Sequence, residues 1–160
     1  MCAIAKAAPW ENSQVGLAAE LFATTLDAYL LLGDIAEDVS DTETANGRAA
    51  TVAFAHDRIA RMVCGDREEV SREQAMQLAT FFAATQQQHI AGAVRTVLAR
   101  QPASAATVIV SGSGEFLARR VAASIPELSA ATVISLTDEL APEIATAACA
   151  YAVAQLFGHE

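Results

Sequence analysis

Apolar and polar positions follow two different periods along this chain, and the change falls near residue 107. Before it the spacing is helical. Leu21, Phe22, Thr25, Tyr29 and Leu32 recur at intervals that place them on one helix face. Ser13 in front and Gly33 behind offer a cap and a stop, so a helix is predicted from Ser13 to about Leu32. A second helix is predicted from Arg48 or Ala49 to Cys64, closed by Gly65. The third opens on Ser71 and Gln74, a capping-box pair, and runs to about Arg100. At 1.5 Å per residue it is roughly 40 Å long. Met76, Ala79, Phe82, Ala83, Gln86, Ile90, Ala93, Val97 and Leu98 are its expected buried face. The stretch Met1 to Trp10 reads as an apolar lead-in, ending in a turn at Pro9-Trp10-Glu11-Asn12.

After the linker at Pro102 the period shortens. Thr107 to Val110 and Thr132 to Leu136 are β-branched runs. Between them lie the break Ser111-Gly112-Ser113-Gly114, a helix from Glu115 to Ser124 and a turn at Pro126. Pro142 suits the first turn of a last helix reaching Phe157, with Gly158 as its stop. Strand, glycine loop, helix, strand and helix make a right-handed crossover unit with two parallel strands. The expectation is a helix-rich α/β chain in one domain over 1–160, with a helical region at 1–101 and a βαβα unit at 102–160. Val108-Ile109-Val110 and Val133-Ile134 are apolar on both faces, as in the interior of a covered parallel sheet. Two such strands leave open edges. The sheet therefore calls for a partner: another chain, a second copy, or the N-terminal lead-in.

Composition narrows the function. The net charge is -9 and the pI about 4.7, which disfavours nucleic acid. Three cysteines, Cys2, Cys64 and Cys149, form no CxxC pair; Cys149 sits in an Ala-rich helix and reads as a small core residue. His56, His89 and His159 have no zinc-ligand spacing. Ile144 to Phe157, the most apolar stretch, is too short to span a bilayer, and the opening residues lack a signal-peptide pattern, so the cytoplasm is the expected location.

Three places can carry chemistry. The loop Gly112, Ser113, Gly114 and Glu115 joins a strand to a helix, where glycines admit a ligand close to the backbone. Leu117 stands where a dinucleotide fingerprint needs its third glycine. Glu115 would repel a phosphate, so a neutral or hydroxyl-bearing ligand part fits better; a plain tight turn is the alternative. Asp34, Glu37, Asp38, Asp41 and Glu43 form an acidic loop that suits a hard cation or is simply solvated. Glu20, Thr24 and Asp27 fall on one predicted helical face that either lines a cleft, with Arg48 as a partner, or faces solvent.

Four segments in order carry a family resemblance. They are Phe22-Ala23-Thr24-Thr25 with Asp27, Tyr29 and Leu30-Leu31-Leu32-Gly33; Thr44-Ala45-Asn46-Gly47-Arg48; Ala60-Arg61-Met62-Val63-Cys64 with Asp66; and Val110 to Leu117. Together the chain resembles the hydantoinase/oxoprolinase-like proteins of tetrahydromethanopterin-linked one-carbon transfer, which are similar to the synthase of methanofuran and methylofuran biosynthesis. The resemblance implies the fold of the actin, sugar-kinase and large-chaperone ATPase superfamily, with this chain matching its C-terminal half. It implies alkyl transfer from an aminomethylfuran diphosphate to glutamyl-tyramine with release of pyrophosphate. It would place Gly112, Ser113, Gly114 and Glu115 on the nucleoside side of the cleft, with Thr24, Asp27 and Arg48 lining the substrate. The family's Asp-x-Gly loop and its second phosphate loop do not occur here, and Asn46 stands where Asp is expected. The resemblance thus implies a separate N-terminal-half chain or a homo-oligomer as partner, and magnesium only with a diphosphate substrate on such a partner. The alternative is a non-catalytic small-molecule-binding or regulatory module, or a degenerate remnant of the enzyme.

Overall fold

The computed structural model describes Met1 and residues 3–157. Helices hold 49% of the described residues, and the described strands are short, so the protein is a helix-rich α/β chain. It forms two compact units that divide inside the long third helix, at Gln86 and Gln87.

The first unit opens on an antiparallel hairpin. Strand β1 (Ala7–Trp10) pairs with β2 (Ser13–Gly16), Ala7 opposite Gly16 and Trp10 opposite Ser13. Glu11 begins the two-residue turn at φ +50°, a conformation that favours glycine at this position in hairpins. The helix expected from Ser13 therefore does not start there. Four residues of extended backbone satisfy each other across the turn instead, and Leu17 N–H closes on the Lys6 carbonyl at 2.9 Å. Bends follow, with Ala18 N–H donating to the Met62 carbonyl at 2.8 Å. The lead-in is thus a strand of its own hairpin and pairs with neither strand of the parallel sheet.

Helix α1 (Thr25–Leu32) starts only at its true cap, Thr24, and ends at Gly33. Helix α2 (Val52–Arg61) is capped by Thr51, whose hydroxyl accepts from Phe54 N–H at 3.4 Å. Arg48 and Ala49 precede it in an irregular segment. Gly65 then allows a close turn, because a Cβ there would meet Val70 Cγ2 at 2.8 Å. Helix α3 (Arg72–Leu98) opens on the expected capping box: Ser71 Oγ accepts from Gln74 N–H at 3.2 Å, and Gln74 Oε1 from Ser71 N–H at 2.9 Å. Phe82, Leu30, Ile59, Met62 and Leu78 fill the core of this unit.

In the second unit β3 (Thr107–Val110) and β4 (Thr132–Ser135) pair in parallel, Thr107 opposite Thr132. Helix α4 (Glu115–Ala123) and a single 3-10 turn (Pro126–Leu128) cross between them, as the pattern predicts. Val121, Ile125, Leu128 and Ala91 make its core. Beyond residue 86 the inward stripe of α3 is Ile90, Ala91, Val94 and Leu98. Ala93 and Val97, expected inside, are exposed, because the 3.6-residue period turns them away. The sheet is thinly covered: Ile109 is 63% and Val133 42% exposed.

The final helix is not continuous. The stretch expected as one helix from Pro142 to Phe157 breaks into α6 (Pro142–Thr146) and α7 (Ala148–Phe157), and a separate short helix, α5 (Leu136–Glu139), precedes it. Pro142 excludes its predecessor from helical backbone, and Ala141 takes φ +141°. Helix α7 buries no residue, so Cys149 is exposed rather than a core residue. Gly158, its expected stop, lies outside the described residues.

Candidate functional site

Helix α2 presents Ala55, Arg58 and Ile59 to the core, and Met62 follows at its C-terminal cap. Arg58, 1% exposed, is the largest of the fully buried side chains. Its Nε donates to Asp27 Oδ1 at 2.6 Å, an ion pair with both partners inside. Asp27 Oδ2 accepts from Thr24 N–H at 2.8 Å, so one carboxylate caps α1 and neutralises the arginine. Burial pushes the Asp27 carboxyl up from its ordinary value, opposed by the Thr24 amide and the Arg58 guanidinium. Arg58 Nη1 donates to Asn46 Oδ1 at 3.1 Å, to Thr44 Oγ1 at 3.4 Å and to the Arg48 carbonyl at 3.4 Å. Helix α1 and the Thr44 to Arg48 loop are thus tied to α2 by one guanidinium.

Three of the expected site residues, Thr24, Asp27 and Arg48, converge on this arginine. The path is not the expected one. Glu20 lies outside α1, so Glu20, Thr24 and Asp27 are not one helical face. Asp27 pairs with Arg58, not with Arg48. Arg48 contributes its carbonyl, while its guanidinium stacks 5.2 Å from the centroid of the Phe54 ring. An open cleft of about 920 Å³ lies over this cluster. Arg48, Arg58, Arg61 and Arg67 line it together with Phe22 and Phe54. Arg58 carries the cluster and escaped the sequence reading. The signal was there: Ala55, Arg58, Ile59 and Met62 share one helical stripe, and a charge in an apolar stripe is buried or functional.

The glycine loop is built differently. Gly112 sits at φ +90°, which lets its carbonyl accept from Glu115 N–H at 3.1 Å. Ser113 and Gly114 are exposed, and Gly114 caps α4. Ser111 Oγ donates to the Ala145 carbonyl at 2.6 Å. Glu115 is turned inward. Its Oε1 accepts a short hydrogen bond from Ser135 Oγ and another from Arg119 Nε at 2.9 Å; its Oε2 accepts from Thr137 Oγ1 at 2.8 Å. Arg119 also holds Asp138 at 2.8 Å. The carboxylate thereby locks the start of α4 to the end of β4.

These partners set a pH dependence. The Ser135 hydroxyl, helped by Thr137 and Arg119, holds the Glu115 carboxyl below its ordinary value. A lowered carboxyl stabilises the fold fully above its unfolded pKa, and that share is lost as pH falls through the folded value. Glu115→Gln is expected to lower the melting temperature at neutral pH and to flatten the acid side of its pH profile. Melting curves from pH 7 to 3 for both proteins check this; parallel curves would assign the acid sensitivity to other groups.

In the acidic loop the carboxylates serve the backbone. Asp38 Oδ1 accepts from Ser40 N–H at 2.8 Å and Ser40 Oγ at 2.6 Å, Asp41 Oδ1 from Glu43 N–H at 2.8 Å, and Glu37 Oε1 from Val52 N–H at 2.6 Å. Among the described residues no three His, Cys, Asp or Glu side chains group as metal ligands. No helix among them is long and apolar enough to cross a membrane.

No curated protein matches the chain. The family model described as hydantoinase/oxoprolinase matches residues 12–157, which spans α1, the Arg58 cluster, the glycine loop and the terminal helices alike. The chain belongs to the hydantoinase/oxoprolinase family.

Proposed function

We propose that this chain is the C-terminal part of an actin-like-fold enzyme that builds a methanofuran- or methylofuran-type one-carbon cofactor in the cytoplasm. In this reading the enzyme transfers an alkyl group. The bond between the methylene carbon of an aminomethylfuran and its diphosphate oxygen breaks. The phenol oxygen of a glutamyl-tyramine-like acceptor bonds that carbon, its proton passes to solvent, and pyrophosphate leaves. Positioning and charge stabilisation carry such a reaction. The supporting observation is that the first three motif segments of the resemblance meet around Arg58 beneath one open cleft. Three separate stretches then serve one site, which suits a substrate-binding wall better than three separate structural features.

The phosphate loops are proposed to come from a further segment, on the same polypeptide or another. The exposed faces and open edges of the β3–β4 sheet favour such a partner. Any magnesium would travel with the diphosphate on that segment, and no step is assigned to it here. The test is to combine this chain with a segment carrying an Asp-x-Gly phosphate loop and to follow pyrophosphate. Release that needs both components and the phenol acceptor is expected. A stable complex that releases none would overturn the reading.

A further inference from the structure

We propose that the cleft of the first unit binds a monocarboxylate with an apolar body, its carboxylate held by Arg58. The inference is independent of the alkyl-transfer reading, because it rests on an unfinished hydrogen-bond set. Arg58 Nη2 is buried and has no partner among the described residues. Nε and Nη1 of the same guanidinium are fully engaged. A buried charged donor left unpaired is costly, so the site is built to receive an acceptor. Arg58 lines the cleft, which has the volume of a small-molecule site.

The surroundings select the acceptor. Four guanidinium groups line the cleft, those of Arg48, Arg58, Arg61 and Arg67, against the carboxylates of Asp57, Asp66 and Glu68. Arg67 is already spent on Asp57 at 2.7 Å and on the Ala53 carbonyl at 2.9 Å. Asp27 already offsets Arg58, so four arginines face four carboxylates and no positive surplus is left to hold a diphosphate. The one open donor, Nη2, offers a single charge-assisted hydrogen bond, which a carboxylate oxygen accepts more strongly than a neutral carbonyl. Apolar side chains stand open on the same cleft: Leu21 is 67% and Phe22 39% exposed, and Phe54 lies beside them. They offer a face for the rest of the ligand.

The full chain with isotope-labelled arginine side chains is titrated with 3-phenylpropionate, with 3-phenylpropionamide and pyrophosphate as controls. The carboxylate is expected to shift the Arg58 side-chain signal saturably and to bind at least about tenfold more tightly than the amide, as a charge-assisted bond should. Arg58→Lys is expected to abolish the preference for carboxylate over amide. Phe22→Ala, which alters no core residue, is expected to weaken binding several-fold with an unchanged melting temperature, so a folding failure of the Arg58 variant does not decide the matter. Equal binding of acid and amide, an unmoved Arg58 signal, or displacement of the acid by lower concentrations of pyrophosphate would each overturn the proposal. An unmoved signal would make a trapped water the partner of Nη2.

Discussion

Replacing Arg58 by Met while Asp27 stays is expected to cost the first unit about 3–5 kcal/mol, the usual penalty for stranding one member of a buried ion pair. Asp27 is fully buried and its Oδ1 has the Arg58 Nε at 2.6 Å. Without the cation the carboxylate must stay charged in the core or take a proton, and both are unfavourable. Asp27→Leu is expected to act in the same direction from the other side, leaving a buried guanidinium with neutral partners only. Replacing both, Asp27→Leu with Arg58→Met, is expected to recover most of the loss, because no charge is then stranded. Thr24 N–H loses its acceptor in that variant, which leaves a residual cost of about 1 kcal/mol for a missing cap. Urea midpoints at constant slope measure all three. If the double variant is as weak as the sum of the singles, the pair is not the unit that matters, and Arg58 acts through Asn46 and Thr44 instead.

That buried pair shows where sequence reading stops. The crossover unit was legible because each device is local. Thr107 to Val110 and Thr132 to Ser135 are β-branched, Gly112 supplies a positive φ, and Pro126 turns the chain. The capping box of Ser71 and Gln74 is local too. The hairpin was missed because Ser13 reads equally well as a helix cap, and Ala18 to Leu21 have high helix propensity. What decides against helix there is a distant hydrogen bond, Ala18 to Met62, and the pairing of Ser13 to Gly16 with the lead-in. The first lies outside any short window of sequence; the second is local, but Glu11-Asn12 lacks the Asn-Gly or Asp-Gly signal of a hairpin turn.

The site follows the same division. Thr24, Asp27 and Arg48 could be named from the motifs that hold them, but the residue that joins them could not. Arg58 is 31 residues from Asp27 and 12 from Asn46, and it looks like one more polar residue beside His56 and Asp57. Its place in the stripe of Ala55, Ile59 and Met62 was the only local clue. Glu115 was named, but as a group facing a ligand. Ser135 and Thr137, which turn it inward, lie across the sheet where sequence spacing says nothing.

Phe82→Ala is expected to cost about 3–5 kcal/mol, as for a large aromatic removed from a packed core. Phe82 is fully buried in the cluster with Leu30, Ile59, Met62 and Leu78, and its ring lies 5.7 Å from that of Phe81. Ile125→Ala, in the other cluster, is expected to cost about 2–5 kcal/mol. Among the described residues none belongs to both clusters, although α3 supplies side chains to each. Effects at sites without shared partners add, so the double variant is expected to match the sum within about 0.5 kcal/mol. Denaturant unfolding of the two singles and the double checks this. A loss well below the sum would mean that one substitution already unfolds what the other was meant to weaken. Helix α3 would then be the element through which the loss spreads, since Leu78 and Phe82 stand on the first core and Ala91 on the second.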